Sequence, residues 1–316
     1  MTVGIISHYK CSEHDMGEHH PESGKRLSAI QDQLIQSGLD YVVRQFDAKP
    51  IDNQLLTLAH AQEYVDFVIN NAPLQGNFMV GEDSVMNNKT LSSALLSAGA
   101  GVDAVDLVMA GELKSAFCAT RPPGHHATHN KGMGFCFFNN VAIAAAYAKN
   151  KYDLQKVAIV DFDVHHGNGT EDIIKNYFIK NNSKDKNSYL FCSSYQYPFY
   201  PFEIEKSSTP PIINTPLDAT AKSEEFRQVI REKWIPELEK FKPELILISA
   251  GFDAHIEDDM SHVSLTEADY RWVTEELKAI ADNHAQGRIV SLLEGGYCLS
   301  ALGRSVVAHI NGLIGH

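Results

Sequence analysis

The stretch of sequence that decides the fold is KVAIVDFDVHHGNGT, residues 156–170. Its first part is a short apolar run rich in β-branched residues, which is typical of a strand buried on both faces of a sheet. Residues two apart in an extended chain point to the same side, so Asp161, Asp163 and His165 are predicted to project into one space. Carboxylates gathered there repel each other, and we therefore expect a metal ion or protonated imidazoles between them.

Strand-like and helix-like segments alternate along the rest of the chain. Eight short segments are predicted strands: TVGIISH, YVVRQFD, SAFCAT, KVAIVDFD, SYLFCSS, IIN, ELILISAGFD and RIVSLLEGG. Segments 92–111, 140–150, 221–241 and 266–287 have the composition and periodicity of helices. The alternation predicts an α/β fold: a single three-layer domain over residues 1–316, with a mostly parallel eight-stranded sheet and helices on both faces.

Composition and charge narrow the class of protein. The 316 residues are 44% hydrophobic and 21% charged, which is typical of a globular protein with a large core. The formal net charge of −13 argues against general affinity for nucleic acid or anionic membrane, and it suits a cationic substrate or partner.

The cysteines and the apolar stretches of the sequence indicate the cellular compartment of the protein. The five cysteines are scattered without a CxxC pair, so we expect reduced thiols. The start, MTVGIISHYKCSEHD, lacks the basic region and apolar stretch of a signal peptide, and no run of about 18 apolar residues suggests a membrane span. These features predict a cytoplasmic protein that does not enter a membrane.

Polar clusters follow four of the predicted strands. RPPGHHA follows SAFCAT, DFDVHHGNG ends KVAIV, SAGFDAH ends ELILI, and EGGY ends RIVSLL. Ligands of open α/β sheets bind outside the carboxyl ends of the strands, so the clusters are predicted to meet at one edge. Each residue alone has an ordinary structural explanation: Asp253 as a helix N-cap, for example, or Tyr297 as a packed core tyrosine. The coincidence of four clusters favours a functional site.

The residues of these clusters suggest a metal-assisted reaction. Asp163, His165 and Asp253 form a set that can hold a divalent ion and leave positions open for water and substrate, as a catalytic zinc requires. This set predicts a metal site.

The remaining polar residues of the clusters are candidates for acid-base chemistry. His125 and His126 can flank the attacking water, and Asp161 can orient one of them. Tyr297 offers a hydroxyl to a developing oxyanion. Together with a metal, they predict hydrolysis of an uncharged acyl bond.

RPPGHHA, GMGFCFFNN, DFDVHHGNGT, SAGFDAH and LEGGY resemble the ordered motifs of the histone deacetylase family. That group includes acetylpolyamine amidohydrolases and acetoin-utilization-type proteins, and its fold is similar to that of arginase. The resemblance implies an arginase/deacetylase-like fold and a zinc ion bound by Asp163, His165 and Asp253. It implies that His126 is the general base and acid. It also implies that His125, paired with Asp161, is an electrostatic stabiliser and that Tyr297 polarises the acyl carbonyl.

The resemblance also implies a substrate channel. Phe135 and Tyr200 match its two aromatic walls, and Gly134 matches the residue whose carbonyl accepts the substrate N–H. Met260 stands where the family commonly has a channel leucine and where a polyamine-selective branch has glutamate. Its apolar side chain favours acylated lysine over acylated polyamine. A structural potassium ion is implied at Asp161, Asp163, His165 and Ser193.

Some positions depart from the commonest pattern of the family. Asn168 stands where one branch has an aspartate paired with the general-base histidine, and the amide resembles the class II-like branch. FEIEKSS replaces the usual glycine-rich segment after PFYP. Asp83 and Ser84 are candidates for a rim residue that holds the substrate backbone.

Three functions remain open from the sequence. The leading hypothesis is a zinc-dependent deacylase of acylated lysine in peptides or proteins. The second is an amidohydrolase of acetylated polyamines or other small amides. The third is an acyl-lysine binder that has lost catalysis, which the intact His125, His126 and Tyr297 disfavour. A binuclear manganese enzyme is less favoured because a second carboxylate cluster is missing, and acyl-chain length and oligomeric state are left open.

Overall fold

The computed structural model describes residues 2–179, 187–202 and 208–315, and a parallel sheet runs through the middle of the fold. The strands are β1 (Val3–Ser7), β2 (Arg44–Asp47), β3 (Phe78–Met79), β4 (Val85–Met86), β5 (Ser115–Ala119), β6 (Val157–Asp161), β7 (Tyr189–Gln196), β8 (Ser208–Thr209), β9 (Ile212–Leu217), β10 (Leu245–Ala250) and β11 (Ile289–Leu293). The main sheet has the order β2-β1-β5-β11-β10-β6-β7-β9-β8.

The eight strands predicted from the sequence are all present and mutually parallel. The two-residue β8 adds an antiparallel ninth strand beside β9, and β3 and β4 form a separate small hairpin. The prediction of a mostly parallel eight-stranded sheet is confirmed, with β8 as an addition at its edge.

Helices cover both faces of the sheet. They are α1 (Lys25–Ser37), α2 (Asn53–Leu56), α3 (Gln62–Asn70), α4 (Thr90–Met109), α5 (Asn140–Tyr152), α6 (Asn168–Asp172), α7 (Ser223–Val229), α8 (Ile235–Phe241), α9 (Glu267–His284) and α10 (Leu299–Ile314). One core lies between the sheet and α2–α5, and the other between the sheet and α1 with α7–α10.

Strand β6 shows why its sequence is a continuous apolar run. Val157 and Ile159 belong to the first core, whereas Ala158 and Val160 belong to the second. All four side chains are fully buried, because helices cover the strand from both sides.

The predicted helices are found, with differences in detail. Segment 221–241 forms α7 and α8 joined by a π-helical stretch, Ile230–Trp234. Helices α1, α2, α3, α6 and α10 were not among those predicted. The predicted surface loop IKNNSKDKNS lies mostly outside the described residues.

Helix α4 bears on the expectation that no segment spans a membrane. It is long and apolar enough to cross a membrane by length and composition, with a mean hydropathy of 1.4 in its most apolar window. However, 67% of that window is buried inside the fold, and α4 packs against α5, β5 and β11. It is a core helix whose apolar surface is covered by protein.

The topology explains the position of the four polar clusters. The clusters follow β5, β11, β10 and β6, which are consecutive neighbours in the middle of the sheet. Because these strands are parallel, all four clusters emerge at the same edge. The prediction that they meet there is confirmed.

Candidate active site

Asp163, His165 and Asp253 form a buried cluster at this edge. One potential ligand atom from each lies within 4.8 Å of the others. The His165 Nδ1 atom is 3.1 Å from Asp163 Oδ1 and 3.1 Å from Asp253 Oδ2. Backbone bonds hold the carboxylates, since Asp163 Oδ2 accepts from the Gly295 amide at 2.8 Å and Asp253 Oδ1 accepts from the Val164 amide at 3.0 Å.

The electrostatics of this cluster call for a cation. Burial, followed by the charge of Asp163, raises the pKa of Asp253 to about 7. Burial opposes the charged form of His165, but its bonds to the two carboxylates prevail and raise its pKa to about 10. A divalent ion bound to Nδ1 and both carboxylates would provide the same compensation, and the oxygen and nitrogen donors suit zinc. The three residues therefore fit a metal ion.

Two glycines allow the carboxylates to approach so closely. A Cβ atom at Gly251 would overlap Oδ2 of Asp163, and one at Gly295 would overlap Oδ2 of Asp253. This is the physical reason for glycine in the SAGFDAH and EGGY segments.

His125 is paired with Asp161 beside the metal cluster. Its Nδ1 donates to Oδ2 of Asp161 at 3.0 Å, and the other oxygen of Asp161 accepts from the Asp163 amide at 3.1 Å. Burial lowers the pKa of His125, but the carboxylates of Asp161, Asp163 and Glu294 outweigh it and raise the pKa to about 10. His125 is therefore cationic at neutral pH.

His126 lies next to His125, but its pKa is shifted in the opposite direction. Its Nδ1 is 2.7 Å from Oδ1 of Asn168. Burial, followed by the nearby positive charges of His125 and His165, holds the pKa of His126 well below its usual value. Of these two adjacent histidines, His125 is cationic and His126 is neutral. Such a difference is common where one side chain serves as a base.

Tyr297 lies at the carboxyl end of β11, on the other side of the site. Its ring packs edge-on against Phe135, with centroids 6.3 Å apart, and the Arg26 guanidinium lies 5.1 Å from its centroid. Within residues 2–179, 187–202 and 208–315, its hydroxyl has no recorded hydrogen-bond partner. The phenol is thus a donor available to a ligand.

Tyr200 lies beside His126, and Phe135 lies beside Tyr297. Tyr200 packs edge-on against His126 at 5.1 Å. Phe135 has a φ of 67°, which is strained for a bulky residue. Gly134 has a φ of 58°, and a Cβ there would overlap the His126 ring. The chain turns tightly here and presents Phe135 next to Tyr297.

Asp83 connects the chain segments that contain Gly134 and Tyr200. Its Oδ1 accepts from the Gly134 amide at 2.8 Å, and its Oδ2 accepts from the Tyr200 hydroxyl at 2.9 Å. Ser84 is fully buried and donates to Asp83, so the expectation that Ser84 lies at the rim is wrong. The FEIEKSS departure falls mostly on residues outside the described ranges.

Met260 and Ser193 are connected to the site by residues that they contact. The Met260 amide donates to Asp258, which also binds the Tyr297 amide. Ser193 faces Asp161 across β6 and β7 and bonds to His166 at 2.9 Å. The lining role of Met260 and the potassium role of Ser193 stay predictions.

Several buried charged residues around the site were not predicted from the sequence. Glu22 pairs with Arg26 and Arg121 in a fully buried network. Arg26 donates to the Gly296 carbonyl at 2.7 Å, and Glu294 accepts from the Gly124 and His125 amides. Charged residues in polar segments are usually solvated, so the sequence does not indicate that these residues are buried. Their burial is evident only from their partners in the fold.

The chain is similar to known proteins in sequence and in fold. A family model described as the histone deacetylase domain matches residues 20–313. A probable deacetylase of Archaeoglobus fulgidus is 34% identical over 305 residues, which cover 94% of this chain and 82% of that protein. The protein named polyamine deacetylase HDAC10 of Homo sapiens is 32% identical over 312 residues, covering 93% of this chain and 44% of that protein. The crystal structure of the HDA15 HD domain matches with a TM-score of 0.90 at 30% identity, covering 100% of this chain and 88% of that one.

Proposed function

Because this chain belongs to the histone deacetylase family, we propose that it is a zinc-dependent hydrolase that removes acetyl or longer acyl groups from acylated lysine side chains. Residues 1–316 would form one catalytic domain. One observation carries the proposal: His126, a buried neutral base, lies beside the cluster of Asp163, His165 and Asp253. The ring centroids of His126 and His165 are 6.0 Å apart.

Asp163, His165 and Asp253 would hold a zinc ion, which would supply Lewis acidity at the acyl carbonyl and lower the pKa of water. His126 receives the proton of the attacking water at Nε2, because its Nδ1 is occupied by Asn168. The same nitrogen then returns the proton to the leaving amine. Its low pKa keeps it unprotonated before the attack.

His125 and Tyr297 stabilise negative charge as it develops. His125 stays protonated because Asp161 holds its Nδ1–H, and its charge balances the anionic character of the tetrahedral species. Tyr297 donates its hydroxyl to the acyl oxygen. The two groups act from opposite parts of the site, one at the end of β6 through Asp161 and one at the end of β11.

The channel supports an aliphatic acylated chain. Phe135 and Tyr200 offer two aromatic surfaces for the methylene groups of a lysine side chain. The Gly134 carbonyl accepts a hydrogen bond from the Cys136 thiol at 3.3 Å, which is a weak donor. A carbonyl has two lone pairs, so it can also accept the substrate amide N–H.

A second candidate is hydrolysis of acetylated polyamines. The formal charge of −13 suits a cationic amine. The relative named a polyamine deacetylase adds weight to this candidate. The apolar side chain of Met260 favours acyl-lysine, which is why lysine is proposed first.

A panel of substrates tests the proposal. Acetyl-lysine peptide, longer acyl-lysine peptides and acetylated polyamines are assayed side by side with the zinc-loaded protein, and His126→Ala serves as the inactive control. Faster hydrolysis of an acyl-lysine peptide supports the proposal, and preference for the polyamines supports the second candidate. Tight binding of acyl-lysine without hydrolysis would identify a binder that has lost catalysis. Hydrolysis of none of them would overturn the proposal.

A further inference from the structure

Asp258 lies in the loop after β10 and accepts hydrogen bonds from three backbone amides. Its Oδ2 accepts from Tyr297 at 2.6 Å and from Cys298 at 2.8 Å, and its Oδ1 accepts from Met260 at 3.1 Å. The residue is 5% exposed. Bonds of an ionised carboxylate to buried amides are shorter and stronger than neutral ones, so Asp258 is a firm anchor for both segments.

The bond to Tyr297 completes a clamp on one peptide group. The Gly296 carbonyl and the Tyr297 N–H belong to the same peptide, and Arg26 Nε donates to that carbonyl at 2.7 Å. Arg26 thus holds the oxygen of the peptide and Asp258 holds its N–H. The preceding Gly295 and Gly296 leave this turn little intrinsic stiffness, and Gly296 has a φ of 114°. The orientation of the Tyr297 side chain therefore depends on these external contacts.

The charge of Asp258 has no countercharge to explain its burial. Within residues 2–179, 187–202 and 208–315, no arginine, lysine or histidine nitrogen is recorded within 4.0 Å of its carboxylate. Its compensation comes from the amides of Met260, Tyr297 and Cys298, and Cys298 is the N-cap of α10, where the helix dipole also favours negative charge. Burying a carboxylate costs free energy. Because Asp258 binds the backbone of one site residue, we interpret its burial as a means of positioning that residue.

We propose that Asp258 is a positioning residue that orients the Tyr297 hydroxyl toward the acyl oxygen. The inference rests on the proposed function, in which Tyr297 donates to that oxygen. Asp258 touches neither substrate nor metal in this scheme, and its whole effect on turnover passes through Tyr297.

A double-mutant cycle with Tyr297→Phe tests this dependence. Asp258→Ala should lower kcat about 10- to 100-fold, as expected when a reacting group is displaced by about 1 Å, with KM and zinc content nearly unchanged. In the Tyr297→Phe background, Asp258→Ala should lower kcat by less than about threefold, because the hydroxyl that it orients is absent. A merely structural role predicts losses that multiply, and that result would overturn the inference, as would an unchanged kcat in Asp258→Ala.

Two further variants protect the test against misfolding. Asp258→Asn keeps the shape but has one acceptor oxygen, so it cannot bind all three amides. A smaller loss of kcat is expected, again vanishing in the Tyr297→Phe background, and losses that multiply would count against the inference here as well. Asp259→Asn, an exposed neighbour, is the matched control and should leave kcat and KM unchanged.

The same cycle can be measured without turnover. The probe is an alkyl hydroxamate, which chelates zinc and presents an oxygen to Tyr297. Asp258→Ala and Tyr297→Phe should each weaken its Kd, and the double variant should bind no more weakly than Tyr297→Phe. If the wild-type protein binds zinc and hydroxamate but hydrolyses no acylated amine, the proposed function fails, whereas the binding cycle still decides the role of Asp258. Additive losses of affinity would overturn it.

Discussion

The His126 Nδ1 atom donates a hydrogen bond to Oδ1 of Asn168 at 2.7 Å. An amide oxygen accepts and does not donate, so this bond requires the proton on Nδ1 and leaves the lone pair on Nε2. Because Asn168 is uncharged, it fixes the tautomer of His126 without stabilising an imidazolium as a carboxylate would. The low pKa of His126 follows from burial and from the neighbouring positive charges of His125 and His165, which the hydrogen bond to Asn168 offsets only in part.

Asn168→Asp should therefore raise the pKa of His126. The base works unprotonated, so activity is lost as the pH falls through its pKa, and a higher pKa moves that loss to higher pH. The acid limb of kcat/KM should shift upward by about one pH unit or more, as expected for a carboxylate in hydrogen-bond contact. The measurement is kcat/KM as a function of pH for both proteins at equal zinc content. An identical profile would show that His126 is not the titrating base.

Tyr297→Phe should lower kcat about 100-fold or more while KM changes little. The ring and its contacts with Phe135 and Arg26 stay, and only the donor to the acyl oxygen is lost, which corresponds to roughly 2.7–4 kcal/mol. Steady-state kinetics and the melting temperature are measured on the same variant. A structural tyrosine predicts the reverse result, with a lower Tm and nearly normal turnover.

Met260→Glu should improve activity on acetylated polyamines relative to acetyl-lysine peptide. A carboxylate in the channel can pair with the secondary ammonium of a polyamine, which a methionine cannot do. The ratio of the two kcat/KM values is the measurement, and Met260→Gln is the neutral control of similar size. An unchanged ratio in Met260→Glu would show that this side chain does not line the channel.

His309 predicts a pH dependence of stability. It is fully buried between Thr274 and Ser291, and burial lowers its pKa from 6.5 to about 3. Its pKa is lower in the folded than in the unfolded state, so protonation favours unfolding. The stabilisation is complete above pH 6.5 and is lost as the pH falls toward 3, at roughly 1.4 kcal/mol per pH unit.

His309→Gln removes this titration. Between pH 6.5 and 4.5, the free energy of unfolding should fall less steeply in the variant than in the wild-type protein, whatever the variant's stability at neutral pH. Denaturant unfolding at several pH values measures the slope. His19→Gln, at an exposed histidine, should keep the wild-type slope. Equal slopes for His309→Gln and the wild-type protein would contradict the prediction.

The sequence predicted those parts of the structure whose signals are local. Each of the eight parallel strands is a short apolar run, and their carboxyl ends carry the residues of the site, so a general rule for parallel sheets sufficed to bring His125, Asp163, Asp253 and Tyr297 together. Helix α10 had a usable signal as well. Its Leu302, Val306 and Leu313 are buried on one face, but polar residues and glycines between them weaken the pattern.

The contacts that hold the site depend on partners far apart in sequence. Arg26 reaches Gly296, and Asp258 reaches Tyr297, across separations that no local pattern reveals. Ser84 is the opposite case, a small polar residue expected at the rim that the fold buries beside Asp83. The potassium site and the cytoplasmic location stay predictions.

The metal content of Asp253→Ala tests the central claim most directly. This change removes one of three ligands and a compensating negative charge while leaving the rest of the donor set in place, so affinity for zinc should fall sharply. Asp259→Asn, an exposed acid later in the same loop, is the control and should bind zinc normally. The account predicts about one zinc per chain in the wild-type protein and far less in Asp253→Ala, with deacylase activity lost in parallel. Full zinc occupancy with unchanged activity in Asp253→Ala would contradict it.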